Sequence, residues 1–211
     1  WNNYRYQDDS VNLFDRYFYK QPEPEGAFHV IFSASDLCHG LYTPDVDIPL
    51  CLRLSNVLKH TGYFENPIYK KCLERAVKAP KTLGVHIRKT DHFMHGELLS
   101  DEYYLSEVDK KLPNYDSLFL STDDQSVVEK FRSIYGDRLL VNDVFRSTTG
   151  VAIHHTKVSD QSRLAEDVMT DALSLSQCDE VLITASNVAG YCLMMNPAIK
   201  YHKIDQHIEY H

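Results

Sequence analysis

From Thr82 onward the chain alternates between two hydrophobic periods. Leu83, Val85 and Ile87 interleave with Gly84, His86 and Arg88, the period-two pattern of a β-strand. Lys78, Pro80 and Lys81 mark the loop into this strand, and the polar run Lys89-Thr90-Asp91-His92 marks the exit. Asp101–Leu112 then reads as a helix capped by Ser100. Ser117–Ser121 is an apolar strand ending in Thr122-Asp123-Asp124, and the helix after it runs to Tyr135, where Gly136 stops it. Arg138–Val141 follows as a short strand, 142–159 as a loop and Asp160–Cys178 as a long helix. Val181–Thr184 is a strand, Asn187–Met195 a helix and Ile199–Ile204 a last strand. This alternation predicts an α/β fold, a doubly wound Rossmann-type parallel sheet with helices on both faces.

Upstream the pattern changes. Leu50, Leu54, Val57 and Leu58 fall at helical spacing, and Asn66-Pro67 opens a second helix whose apolar side is Tyr69, Leu73, Ala76 and Val77. These two helices bridge toward the sheet. Before them, residues 1–20 carry Trp1, Tyr4, Tyr6, Phe14, Tyr17, Phe18 and Tyr19, a ring density that suits a core or a sugar-stacking surface. Gln21-Pro22-Glu23-Pro24-Glu25-Gly26 is a breaker cluster, and Phe28–Ser33 reads as a strand. The expected division is a partial N-terminal α/β domain with bridging helices over 1–80 and a Rossmann-like domain over 81–211.

Composition narrows the functional classes. The 211 residues are 43% hydrophobic, enough for a real core, and the formal net charge of -8 argues against a nucleic-acid backbone as partner. No apolar run reaches the ~20 residues of a membrane-spanning helix. The five cysteines, at 38, 51, 72, 178 and 192, have neither C-x-x-C nor metal-finger spacing and read as buried free thiols. The eleven histidines form no zinc motif. There is no G-x-G-x-x-G after a strand and no P-loop, so a nucleotide has to be held by other means.

Three features carry chemistry. Arg88 stands at the carboxyl end of its strand, where open α/β sheets bind ligands, and its planar fork suits a phosphate; pairing with Asp91 is the structural alternative. In the long helix, Leu164, Val168, Ala172 and Leu175 form an apolar stripe that also contains Asp171. A carboxylate there is costly unless paired, so Asp171 is either a satisfied structural group, with His86 as one partner, or an acceptor for the N–H edge of a base such as guanine. Finally, Leu182-Ile-Thr-Ala-Ser-Asn-Val-Ala-Gly190 places Ser186 or Asn187 at a helix start, a natural cradle for a diphosphate. Asp123-Asp124 admits a divalent-cation reading, but capping of the following helix is preferred.

The runs G-V-H-I-R-K-T-D (84–91), L-F-L-S-T-D-D (118–124) and D-A-L-S-L-S-Q-C-D-E-V-L-I-T-A-S (171–186) resemble the core α1,6-fucosyltransferases and the bacterial nodulation-factor fucosyltransferases. The H-x-R-x-x-D signature is shared more loosely with α1,2- and protein O-fucosyltransferases. The resemblance covers 82–200 and implies a GT-B-like, inverting, metal-independent enzyme that takes fucose from GDP-fucose, with no cofactor. It also makes 1–80 the acceptor side. Carried over, Arg88 would bind the β-phosphate, His86 and Asp171 would hold the guanine, and Ser186 and Asn187 would meet the diphosphate. Lys89 stands where the core enzymes have a second Arg and keeps the charge without the fork. Glu97 is the nearest match to the family's base, after a one-residue shift, with Asp91 as substitute; His92 stands where those enzymes have Lys.

The expected partners are therefore a nucleotide sugar and a glycan or glycoconjugate acceptor. Two alternatives stay open: a different nucleotide-sugar donor, or a non-catalytic carbohydrate- or protein-binding domain on the same scaffold. The unpaired cysteines favour a cytoplasmic or membrane-peripheral location, and the animal relatives a Golgi lumen.

Overall fold

The computed structural model describes residues 48–60, 62–90, 99–151, 160–184 and 186–204. The aromatic-rich segment 1–20 and the strand expected at Phe28–Ser33 lie outside these residues. Two helices come first, α1 (Ile48–His60) and α2 (Pro67–Arg75). The sheet units follow as β1 (Thr82–Ile87), α3 (Asp101–Lys111), β2 (Ser117–Thr122), α4 (Gln125–Tyr135) and β3 (Leu139–Leu140). The chain then continues through α5 (Gln161–Ser176), β4 (Glu180–Ile183), α6 (Asn187–Met195) and β5 (Lys200–Lys203).

All five strands are parallel, in the order β3-β2-β1-β4-β5. Successive side chains of β1 enter different cores. Leu83, Val85 and Ile87 pack with Leu118, Leu120, Tyr104, Val108 and Phe131, the layer under α3 and α4. On the opposite face, Phe119, Val181 and Ile183 pack with Leu175 of α5 and with Ala189, Cys192 and Leu193 of α6. The fold is thus the expected α/β sheet with helices on both faces. The alternating pattern of β1 does not mark a solvent face, however. All six residues are buried, because a central parallel strand is covered twice.

Local chemistry explains the helix starts. Asn66, Ser100, Asp124, Asp160 and Ser186 each accept a backbone N–H of the first helical turn through their side chains, at 2.8–3.2 Å. Gly136 takes positive φ (52°) at the end of α4. Three readings of helix faces need correction. Val57 (50% exposed) and Leu73 (39%) point outward, while Leu54, Leu58 and Cys72 face inward. The third concerns α5, which is not a one-sided amphipathic helix. It lies between the sheet and α2, so Glu166, Asp167, Thr170, Asp171, Ser174 and Ser176 are buried along with its apolar residues, and only Val168 of the expected stripe is half-exposed.

Buried charge on α5 is matched from α2. Asp167 accepts from Arg75 and from Arg163 Nε (2.7 Å), and Glu166 accepts from Lys71 Nζ (2.7 Å). Cys72, Cys178 and Cys192 are buried free thiols. Burial pushes the Cys72 thiol up to about 11, which leaves it protonated and unreactive at neutral pH.

Gly84 sets how closely α5 approaches β1. A Cβ at this position would sit 2.9 Å from Val181 Cγ1, 3.0 Å from Cys178 Sγ and 3.2 Å from Leu175 Cδ2. Substituting Gly84→Ala is therefore expected to destabilise the fold by roughly 1–3 kcal/mol through overpacking. Urea denaturation checks this, and an unchanged midpoint would show that the contact yields freely.

Candidate functional site

In the order β3-β2-β1-β4-β5 the chain reverses direction of winding between β1 and β4, and ligands of open α/β sheets bind beyond the carboxyl ends at such a point. Arg88 leaves β1 there, half-buried, and Thr184 and Ser186 leave β4 beside it, both buried. Ser186 caps α6, its Oγ accepting the Ala189 N–H at 3.0 Å. The remaining N–H groups of that first turn and the positive dipole end are directed toward the same crevice. Asn187 is the first residue of α6. Two motif positions that are far apart in sequence, Arg88 and Ser186, are thus placed at the ends of adjacent strands.

The exit of β1 is held by Asp123. Its carboxylate accepts the Lys89 N–H (3.0 Å), the Thr90 N–H (3.2 Å) and the Thr90 hydroxyl (2.5 Å). The two acids after β2 therefore divide the work. Asp124 caps α4, as expected from capping, whereas Asp123 fixes the backbone that follows Arg88. Among the described residues no group of three or more His, Cys, Asp or Glu side chains gathers as a metal site.

Lys89 points toward α3. Its Nζ lies 2.7 Å from Asp101 Oδ1, donates to the Leu99 carbonyl at 2.8 Å and sits 5.6 Å from the Tyr104 ring centroid. Burial alone would raise the Asp101 carboxyl, but Lys89 and Lys130 together hold it below its ordinary value. Lys89 is thus engaged with the start of α3. Asp91 and Glu97, the two candidate bases, lie outside the described residues.

His86 and Asp171 meet through an intermediary. His86, 4% exposed, pairs in register with Ser121 of β2, and its Nδ1 lies 3.3 Å from Ser121 Oγ. Ser121 also helps to hold down the pKa of the Asp171 carboxyl, which is 6% exposed. From the loop after β3, Asn142 Nδ2 donates to Asp171 Oδ1 at 2.7 Å. The buried acid is therefore hydrogen-bonded, as its position in an apolar helix face requires. Burial nevertheless pushes it up to about 6, against the opposing pull of Arg146, Asn142 and Ser121 and with a smaller upward push from Asp167.

Sequence reasoning missed Ser121, Asn142 and Arg146. Arg146 donates to the Asn142 carbonyl at 3.0 Å and adds its charge to the Asp171 environment. Ser121 was legible as the residue that breaks an apolar strand at its carboxyl end. Asn142 and Arg146 sit in a loop without a motif, and only the fold brings them to α5.

The raised value has a definite sign. The folded state binds the Asp171 proton more tightly than the unfolded chain, so this group's contribution to stability is present below pH 3.8 and lost as pH rises through about 6. At pH 7.5 the ionised carboxylate costs roughly 3 kcal/mol. Asp171→Asn is expected to be more stable relative to the parent at pH 7.5 than at pH 4. Denaturation midpoints across that range check the slope, and a parallel pH dependence of the two proteins would contradict it.

No protein-family model matches the chain, and no curated protein matches it in sequence. Solved structures do. It is similar to the protein O-fucosyltransferase POFUT1 in complex with GDP, with a TM-score of 0.44 and 11% identity over 66% of this chain and 46% of that one. POFUT1 in complex with GDP-fucose gives 0.43 at 10% identity, over 82% and 50%. Its apo form gives 0.43 at 10% identity, over 82% and 51%. The chain spans about half the length of these structures.

Proposed function

We propose that this chain forms the donor-binding part of a glycosyltransferase that transfers fucose from GDP-fucose to the hydroxyl of a glycan or glycoconjugate. The observation that carries this reading is the pairing of two subsites at one sheet edge. One is cationic, with Arg88 and the Ser186-capped start of α6 at the winding reversal. The other is a buried acceptor group, Asp171 with Ser121 and His86. A nucleoside diphosphate needs both: positive charge for its phosphates and, if the base is guanine, hydrogen-bond acceptors for its N–H edge. The order of the three motifs, which resembles that of the fucosyltransferases, supports fucose as the sugar.

The chemistry follows from charge. As the bond between fucose C1 and the β-phosphate oxygen breaks, its electron pair leaves with GDP and C1 becomes oxocarbenium-like. Arg88 and the α6 N–H groups stabilise the growing charge on the diphosphate, which is the service a divalent cation performs elsewhere. The acceptor oxygen bonds to C1 from the opposite face, inverting the anomeric configuration, and its proton passes to a base. Glu97 or Asp91 takes this role in the proposal.

Calorimetric titration of GDP and GDP-fucose with and without EDTA tests the reading. Both are expected to bind, and EDTA to change neither affinity. Arg88→Ala is expected to weaken GDP by ten- to a hundredfold, the range for a charge-assisted pair. If neither nucleotide binds the parent protein, or if Arg88→Ala binds and turns over normally, the proposal fails. A preference for a UDP-sugar would retain the scaffold and change the donor.

A further inference from the structure

Two acidic side chains from different elements grip the residues that follow Arg88. On the backbone, Asp123, just after β2, accepts the Lys89 and Thr90 N–H groups and the Thr90 hydroxyl. On the side chain, Asp101 from the first turn of α3 takes the Lys89 ammonium at 2.7 Å. An ammonium carries three donors. One meets Asp101, and a second goes to the Leu99 carbonyl at 2.8 Å. The charged head also lies 5.6 Å from the centroid of the Tyr104 ring, within the range of a cation–π contact. Only 16% of the Lys89 side chain is exposed. To serve a diphosphate, this lysine would have to give up all three contacts.

Asp101 is equally committed. Its Oδ2 lies 3.2 Å from Lys130 Nζ of α4, and that ammonium also donates to Glu102 at 2.7 Å. Asp101 stands in the first turn of a helix capped by Ser100, where negative charge meets the positive end of the dipole. The Lys89–Asp101 pair therefore forms from the protein's own groups and needs no ligand to assemble it.

We infer that Lys89 and Asp101 are positioning residues: their pair, together with the Asp123 clamp, fixes the backbone that carries Arg88, and the Lys89 ammonium does not itself touch the diphosphate. The inference rests on the GDP reading above and deepens it. Lys89 is bonded directly to Arg88. Holding it at both its N–H and its ammonium restricts the peptide between them, so that Arg88 has less freedom to lose when an anion binds.

The two roles open to Lys89 give opposite signs at Asp101. Asp101→Asn removes a negative charge and releases a cation next to Arg88. A lysine that binds the diphosphate would then be freer to reach it, and GDP would bind as well or better. A positioning lysine loses its anchor instead, and GDP binds less well.

Calorimetric titration of GDP into the folded variants separates these roles. Asp101→Asn changes almost no volume at a side chain that is 25% exposed, so it tests the charge and not the packing. Lys89→Met and Asp101→Asn are each expected to weaken GDP about three- to tenfold, the cost of ordering one long side chain on binding. The double variant is expected to bind no more weakly than either single one, because both break the same pair. Lys89→Arg keeps a cation within reach of Asp101 and is expected to stay within about threefold of the parent. In the protein without nucleotide, amide hydrogen exchange at Lys89 and Thr90 is expected to quicken about tenfold in Asp101→Asn, as the clamped backbone opens more often. GDP binding that is unchanged or tighter in Asp101→Asn overturns the inference, and so does an additive loss in the double variant. Unchanged exchange at both amides overturns it as well. All three results leave the GDP reading standing. If the parent binds no GDP, that reading falls, and this inference with it.

Discussion

The approach of α5 to β1 at Gly84 governs the rest of the molecule. With no side chain there, Leu175 and Cys178 occupy the space that a Cβ would need. One turn toward the α5 N-terminus, the same geometry sets Asp171 against Ser121 and, through it, His86. A bulkier residue at 84 would lift the helix and pull the carboxyl away from both. The packing of an apolar layer and the placement of a polar site are thus one constraint, and the glycine belongs to both.

α5 also shows how the protein tolerates buried charge. Glu166 and Asp167 are met by cations from α2 and from the first turn of α5, which turns two costly groups into the bond between α2 and α5. Among the described residues Asp171 has no ion pair of this kind. Its hydrogen-bond partner is the neutral Asn142, with Ser121 and Arg146 lowering its pKa only in part, so that the value is raised rather than lowered. A stabilising role would be served as well by asparagine. On the GDP-fucose reading proposed above, a carboxylate kept at this cost receives a donor-rich ligand, and stability is commonly given up at such sites.

Much of the fold was legible in the sequence because local signals agreed with one another. The caps at Ser100 and Asn66, the stop at Gly136 and the helix Asn187–Met195 stand where turn and cap chemistry put them. Where burial on two sides overrides period, the pattern misleads: β1 has no solvent face, α5 no solvent stripe, and Val57 and Leu73 point outward. The site was legible in part. His86 and Asp171 stood out as polar groups in apolar settings, and Arg88 and Ser186 as strand-end and helix-start residues. The clamp Asn142 and the backbone anchor Asp123 were not, since each acts across elements that only the sheet order juxtaposes, and Ser121 was legible only as a break in an apolar strand. Lys89 was a candidate only through the resemblance, and its ammonium is paired with Asp101.

The central claim is that the Asp171 carboxylate receives the ligand's N–H edge, which requires it to be ionised in the complex. Proton-linked calorimetry with GDP-fucose at pH 6 tests this most directly, because neither phosphate of that molecule titrates there. Run in buffers of different ionisation enthalpy, binding is expected to release about half a proton, as a carboxyl with a pKa of about 6 gives up the proton it half holds. The release should vanish in Asp171→Asn. Proton-neutral binding by the parent, or the same release with asparagine in place, would contradict the claim.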